Sequence, residues 1–118
     1  MTQVDDITVI REAEREFRPV SGDGAAGLSL ARLYQNPARA LTFQLARIEP
    51  GGVSRRHAHP WEQINLVLSG RGSIDAAGRQ VEIAPGDCVV FAADVSHAIT
   101  NNGAEPLLLV GVLGPGAA

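Results

Sequence analysis

The chemistry-bearing residues of this chain gather in two places. The stretch HAHPWEQ, residues 57–63, carries two of the three histidines together with Glu62 and Gln63, and the third histidine, His97, follows on a later segment. In an extended strand, residues i and i+2 point to the same side about 6.6 Å apart, so the rings of His57 and His59 converge. Imidazole nitrogens hold first-row metals at about 2.0–2.1 Å. Glu62 and Gln63 both offer oxygen nearby, and His97 closes the set if its strand lies adjacent in space. An isolated H-x-H pair is more often an idle rim feature, so the pair needs a frame that brings the other donors to it.

The composition narrows the chemistry. All ten basic residues are arginine. Without lysine there is no Schiff base, which excludes pyridoxal phosphate and lysine-aldolase mechanisms, and no P-loop, which needs its lysine. The ten guanidinium groups remain as rigid forks for carboxylate or phosphate. The net charge of −3 argues against a nucleic-acid face. A single cysteine, Cys88, cannot form an internal disulfide and gives no sign of an oxidising compartment. It sits in the strand-like CVVFA and is expected to be a buried small hydrophobe. The charged N-terminus lacks an apolar signal core, and no apolar run reaches the length of a membrane span. The expected location is the cytoplasm, with no membrane and no nucleic acid as partner.

The elements that must position the histidines read as strands. DDITVI (5–10) is a short strand, REAEREFR (11–18) one or two helical turns stopped by Pro19, and SGDGAAG (21–27) a loop. LSLARLY (28–34) begins as an alternating strand, and NP (36–37) is a turn. LTFQLARI (41–48) alternates through Leu41, Phe43 and Leu45 as a half-buried strand, and EPGG (49–52) turns the chain. INLVLSG (64–70), a hairpin over 72–83 joined around AAG, CVVFA (88–92), HAITN (97–101) and LLLVGVL (107–113) complete the series, and GPGAA is a frayed tail. Roughly eight to ten short strands spaced by Gly and Pro turns predict an all-β sandwich or barrel.

Two stretches resemble the motifs of the cupin family. In GGVSRRHAHPWEQINLVLSG (51–70), Gly51, His57, His59 and Gly70 fall on the first motif, and Gln63 stands at its glutamate position. In GDCVVFAADVSHAITN (86–101), Gly86, His97 and Asn101 fall on the second, while Ala92 and Asp94 replace its usual proline and glycine. The resemblance implies a cupin-type jelly-roll β-barrel over residues 1–118. Its core spans about 28–113, with an N-terminal arm over 1–20 and a short tail over 114–118. It also implies a divalent metal held by His57, His59, Gln63 and His97, and a homodimer. Three residues separate His59 from the fourth ligand, which reaches Gln63 rather than Glu62. Alternation agrees: Gln63, Asn65 and Val67 face the cavity, and Ile64, Leu66 and Leu68 face away. A bend at Pro60 would instead bring in Glu62.

A glutamine ligand changes the chemistry. Its amide oxygen is neutral, so a divalent ion keeps its full charge and acts as a strong Lewis acid on carbonyl or hydroxyl groups. That leans toward isomerase or lyase chemistry on a small, oxygen-rich, anionic substrate and away from an iron dioxygenase. The His/His/Gln/His set is similar to that of cupins that linearise unsaturated uronates, which makes a sugar-acid-like substrate an expectation of the resemblance. Zinc, nickel, manganese and iron all accept nitrogen and oxygen ligands; calcium does not suit the set. A dioxygenase and a non-enzymatic ligand-binding cupin are the two rival readings. Arg55 shares the face of the histidines and is the first candidate to clamp a substrate carboxylate. Arg47, Asn65 and Trp61 are further candidates for substrate contact, with Arg32 and Tyr34 behind them. Glu62 and Arg55 are the candidate catalytic groups, and no residue stands out as the proton carrier.

Overall fold

The computed structural model describes residues 2–4, as backbone alone, and 6–115. Residues 1, 5 and 116–118, which belong to the expected arm and tail, lie outside the described residues. Strands β1 (Thr2–Val4), β2 (Ile7–Val9), β3 (Arg18–Val20), β4 (Ala26–Asn36), β5 (Leu41–Val53) and β6 (Gln63–Ser69) form the first half of the chain. Strands β7 (Gly72–Ala76), β8 (Arg79–Ile83), β9 (Cys88–Phe91), β10 (His97–Thr100) and β11 (Leu107–Leu113) form the second. β1 and β2 make a separate hairpin. The rest form one sheet in the order β8-β7-β10-β5-β11-β6-β9, with β4 hydrogen-bonded to β5 and β3 to β4. The fold is the all-β jelly-roll that the strand pattern and the motif resemblance predict.

Alternation builds the core on the concave side. Leu28, Ile48, Val67, Ile99, Leu107 and Leu109 are buried there against one another and against Phe91, Ile74 and Ile83. On β6 the parity follows the expectation: Gln63, Asn65 and Val67 are buried, while Ile64, Leu66 and Leu68 are 41%, 39% and 46% exposed. The 72–83 hairpin closes on Ala77 and Gly78, both at positive φ (51° and 73°), as two-residue hairpin turns require.

Three local expectations need correction. EPGG does not turn the chain. It lies inside β5, where Gly51 takes a φ of 80° and Gly52 lets the strand pass close to β4: a Cβ there would stand 2.6 Å from the Ala26 carbonyl oxygen. The charged 11–18 stretch makes a single 3₁₀ turn, Glu12–Glu14, and its end joins the sheet as β3; no residue of that turn is buried, so no apolar face holds a longer helix. β5 is half-buried as expected: Thr42, Gln44, Ala46 and Ile48 line the cavity, and on the convex side Leu45 is buried while Phe43 is exposed. Cys88 is exposed, since it pairs with Leu66 on that same convex side.

One ladder sets the site. Backbone hydrogen bonds run from Gly51–Asn101 and Gly52–Asn101 through Ser54–Ile99 to a reciprocal pair between His57 and His97, at 3.2 and 3.1 Å. Asn101 anchors the ladder's far end. It is fully buried, donates through Nδ2 to the carbonyls of Ile48 (2.9 Å) and Glu105 (2.8 Å), and accepts from the Gly103 amide (2.9 Å). The Asp94 amide donates to the His59 carbonyl at 2.8 Å, which ties the H-x-H segment to the turn before His97.

Candidate metal centre

The ladder brings His57 and His59 to His97, and their ring nitrogens offer three ligand atoms within 4.8 Å of one another. Each ring donates through Nδ1 to a backbone carbonyl two residues away: His57 to Arg55 (2.9 Å), His59 to Trp61 (3.0 Å) and His97 to Val95 (3.0 Å). A carbonyl can only accept, so the proton sits on Nδ1 and each Nε2 keeps its lone pair. Gln63 completes the cluster, with its Oε1 at 3.0 Å from His59 Nε2 and 3.2 Å from His97 Nε2.

The amide orientation carries the chemical message. Gln63 donates through Nε2 to Asn65 Oδ1 at 2.7 Å, in a buried pair. This leaves Oε1 facing two imidazole lone pairs, so acceptors face acceptors in a buried space. With this orientation the Gln63 oxygen and the imidazole nitrogens all face one point, an arrangement that could hold a cation. The donor set of three neutral nitrogens and one neutral oxygen suits a divalent transition metal such as zinc, nickel, manganese or iron. Burial, the largest cause, pushes His97 down to about 4, assisted by repulsion from His57, His59 and Arg56 and opposed by its bond to the Val95 carbonyl. The ring is therefore neutral at physiological pH and can act as a ligand.

The other expected residues separate into those brought to the cavity and those that are not. Arg55 and Asn65 line a cavity of about 120 Å³ beside the histidines, together with Arg32, Thr42, Gln44 and Ser54. Glu62 is exposed and turned away from the cluster. Arg47 is not brought to the cavity: it alternates with inward-facing Ala46 and Ile48, so it points outward, where it pairs with Glu49 (3.2 Å) and lies over the Phe17 ring. Trp61 stacks on His59 at 5.2 Å with planes 10° apart and supports that ring from behind rather than lining the cavity. Tyr34 is exposed on the convex side, opposite Phe43.

Two further residues matter. Phe91 stacks on His97 at 3.8 Å with planes 5° apart and seals the site on that side. Gly111 faces Asn65 from β11, and a Cβ there would stand 2.9 Å from Asn65 Nδ2. A lone glycine inside the apolar run LLLVGVL signals such a close approach, whereas the face of Phe91 depends on the β6–β9 register, which the sequence does not display.

A small jelly-roll with a histidine cluster opening on an internal cavity is therefore the architecture of this chain. Residues 44–113 match the family model of the cupin domain, and the chain belongs to that family. A predicted oxalate decarboxylase from Thermotoga maritima is similar in structure at 28% identity and a TM-score of 0.82, covering 90% of this chain and 97% of that one. The polyketide cyclase RemF from Streptomyces resistomycificus is similar at 20% identity and 0.79, covering 91% and 78%. KdgF from Halomonas sp. is similar at 18% identity and 0.75, covering 93% and 94%. The last two likenesses speak to the fold alone. No curated protein matches the sequence, and no helix among the described residues is long and apolar enough to cross a membrane.

Proposed function

We propose that this cupin is a metal-dependent enzyme of the isomerase or lyase type, acting on a small, oxygen-rich, anionic substrate. The observation that carries the reading is the cluster of half-buried His57 and His59 with buried His97 and Gln63, the Gln63 oxygen turned inward. A divalent ion bound there supplies Lewis acidity toward a substrate carbonyl, carboxylate or hydroxyl. The chain's own part is positioning. Arg55, on the cavity wall beside His57, offers a fork to a substrate carboxylate. Asn65 has its oxygen occupied by Gln63 and turns its two N–H bonds toward the cavity. Phe91 and Trp61 stack on His97 and His59 and hold two of the rings in place.

The neutral donor set favours this reading over a dioxygenase, in which an anionic carboxylate helps support redox work at the metal. The name of the Thermotoga neighbour supports an enzyme that handles small acids. A homodimer belongs to the same proposal. The convex face of β5, β11, β6 and β9 presents Phe43, Val112, Ile64 and Val90 in one row and Val110, Leu66 and Cys88 in the next, with Leu45 buried beneath. Exposed large apolar side chains grouped on one face (Phe43, Ile64, Leu66 and Val90) suit covering by a second copy in a two-fold pairing.

Elemental analysis of untagged protein beside His97→Ala and Gln63→Glu tests the metal reading. About one zinc, nickel or manganese ion per chain, lost in His97→Ala, is the expected result, with isomerisation or elimination of sugar acids assayed next. Predominant iron with oxygen uptake would favour the dioxygenase. No metal in any preparation, and none taken up on titration, would leave a ligand-binding cupin without metal chemistry.

A further inference from the structure

The concave sheet carries one polar row that the metal cluster does not use. Arg32 on β4 pairs with Gln44 on β5, Gln44 with Gly111 on β11, and Gly111 with Asn65 on β6. The neighbouring row, Leu30, Ala46, Leu109 and Val67, is apolar. Arg32, Gln44 and Asn65 all line the 120 Å³ cavity. No described residue forms an ion pair with Arg32 or hydrogen-bonds the Gln44 side chain. Asn65 spends its oxygen on Gln63, which leaves its N–H groups as donors. The row offers side-chain N–H donors from Arg32, Gln44 and Asn65.

The charge of the cavity points the same way. Its lining holds two guanidinium groups, Arg32 and Arg55, and no aspartate or glutamate. Arg32 is exposed and also lines a neighbouring cleft with Glu14, Glu16 and Arg18, where Arg18 engages Glu16 at 3.0 Å. Arg32 and Asn65 stand three strand spacings apart, roughly 14 Å along the sheet, so Arg32 occupies the wall across from the histidines. Arg55 stands on their own side, two residues before His57.

We propose that Arg32 and Gln44 form a second anion subsite, and that the cavity takes a small dicarboxylate, with one carboxylate toward the histidine cluster and Arg55 and the other at Arg32 and Gln44. This rests on the anionic-substrate reading above. The cavity of about 120 Å³ is on the scale of a small organic acid. Asn65, at the end of the row beside Gln63, donates to the ligand's near carboxylate or to a hydroxyl next to it.

The test compares acids that differ only in the second charge. Succinate against butyrate and glutarate against pentanoate are titrated calorimetrically into metal-loaded wild-type protein, Arg32→Gln and Gln44→Ala, with metal affinity measured in parallel. A dicarboxylate advantage of about 10- to 100-fold is expected in the wild type, the scale of a charge-assisted pair. It falls to near unity in Arg32→Gln, which stays folded and is compared in its metal-loaded form, and falls partway in Gln44→Ala. Equal binding of mono- and dicarboxylates by the wild type, no binding of either by well-loaded protein, or an advantage that survives Arg32→Gln would each overturn the subsite. Loss of metal binding across all proteins would instead mark failure of the metal reading, and the same acid comparison on metal-free protein would still decide the role of Arg32.

Discussion

Asn65 should control metal affinity although it contacts no metal. Its oxygen holds the Gln63 NH₂ group at 2.7 Å and so turns the Gln63 oxygen toward His59 and His97. Two substitutions separate this role from simple packing. In Asn65→Ala, the Gln63 NH₂ loses its buried partner, which costs about 1–3 kcal/mol, and the amide is free to turn over and donate to the imidazoles. Both effects disfavour the metal-ready orientation, and metal affinity should fall about 10- to 100-fold, the usual range for residues that orient a ligand. In Asn65→Asp, the carboxylate can only accept, so Gln63 stays locked with its oxygen inward, and metal affinity should hold or rise. Gly111→Ala tests the same lock from behind, because its Cβ would press on Asn65 Nδ2 from 2.9 Å. The assay is competition against a chromophoric chelator with metal-stripped protein, alongside thermal unfolding of the metal-free forms. Asn65→Ala binding metal within about twofold of wild type, while Gln63→Ala loses it, would falsify the orientation argument.

Two other predictions follow from groups already described. His97 stays neutral in the folded, metal-free protein until about pH 4, whereas an unfolded histidine takes up its proton near 6.5. The unfolded state therefore binds more protons between those values, so stability is undiminished above about 6.5 and falls as pH drops toward 4, by on the order of 3 kcal/mol. Urea unfolding of metal-free protein at stepped pH measures this, and a His97→Gln variant should flatten the slope; an unchanged slope would rule His97 out as its source. The convex apolar face should hold two copies together, so light scattering should return twice the chain mass for the wild type and a monomer for Leu66→Arg. A monomeric wild type at tens of micromolar would remove the homodimer.

The strands were legible because their cues are local. LLLVGVL appears as β11 over the same residues, Leu107–Leu113, and the 72–83 hairpin forms around its Gly78 turn. On β6, parity counted from His59 places Gln63 and Asn65 on the buried side. Where expectation failed, the deciding partner was distant in sequence. Whether Leu41, Phe43 and Leu45 face inward depends on which side of β5 the sheet curls toward, and a run alternating apolar with polar residues reads as half-buried either way. Here the side carrying Thr42 and Gln44 faces the cavity, and on the other side Leu45 is buried while Phe43 is exposed. Cys88 was misplaced for the same reason, through its pairing with Leu66. The role of Gly111 was half visible: an isolated glycine in an apolar strand announces a close approach, but only the register names Asn65 as the neighbour.

The glutamine ligand and the two cavity arginines act on the same electrostatic quantity. In a site with a carboxylate ligand, that charge offsets part of the ion's charge before any substrate arrives. Here the four expected ligands are neutral and the cavity lining holds guanidinium groups without a carboxylate, so a bound ion and both arginines leave positive charge uncompensated in a partly buried space. Uncompensated buried charge is costly, and an anion entering the cavity relieves it. Ion and anion must then favour each other, and linkage requires the effect to be equal in both directions. Saturating succinate should tighten metal binding by the same factor by which metal tightens succinate, and Gln63→Glu should shrink that factor by supplying the missing charge from the protein itself. Measuring both legs of the cycle by titration decides the matter: a coupling factor near one in the wild type, or one unchanged in Gln63→Glu, would mean that the neutral ligand set has no part in selecting an anionic substrate.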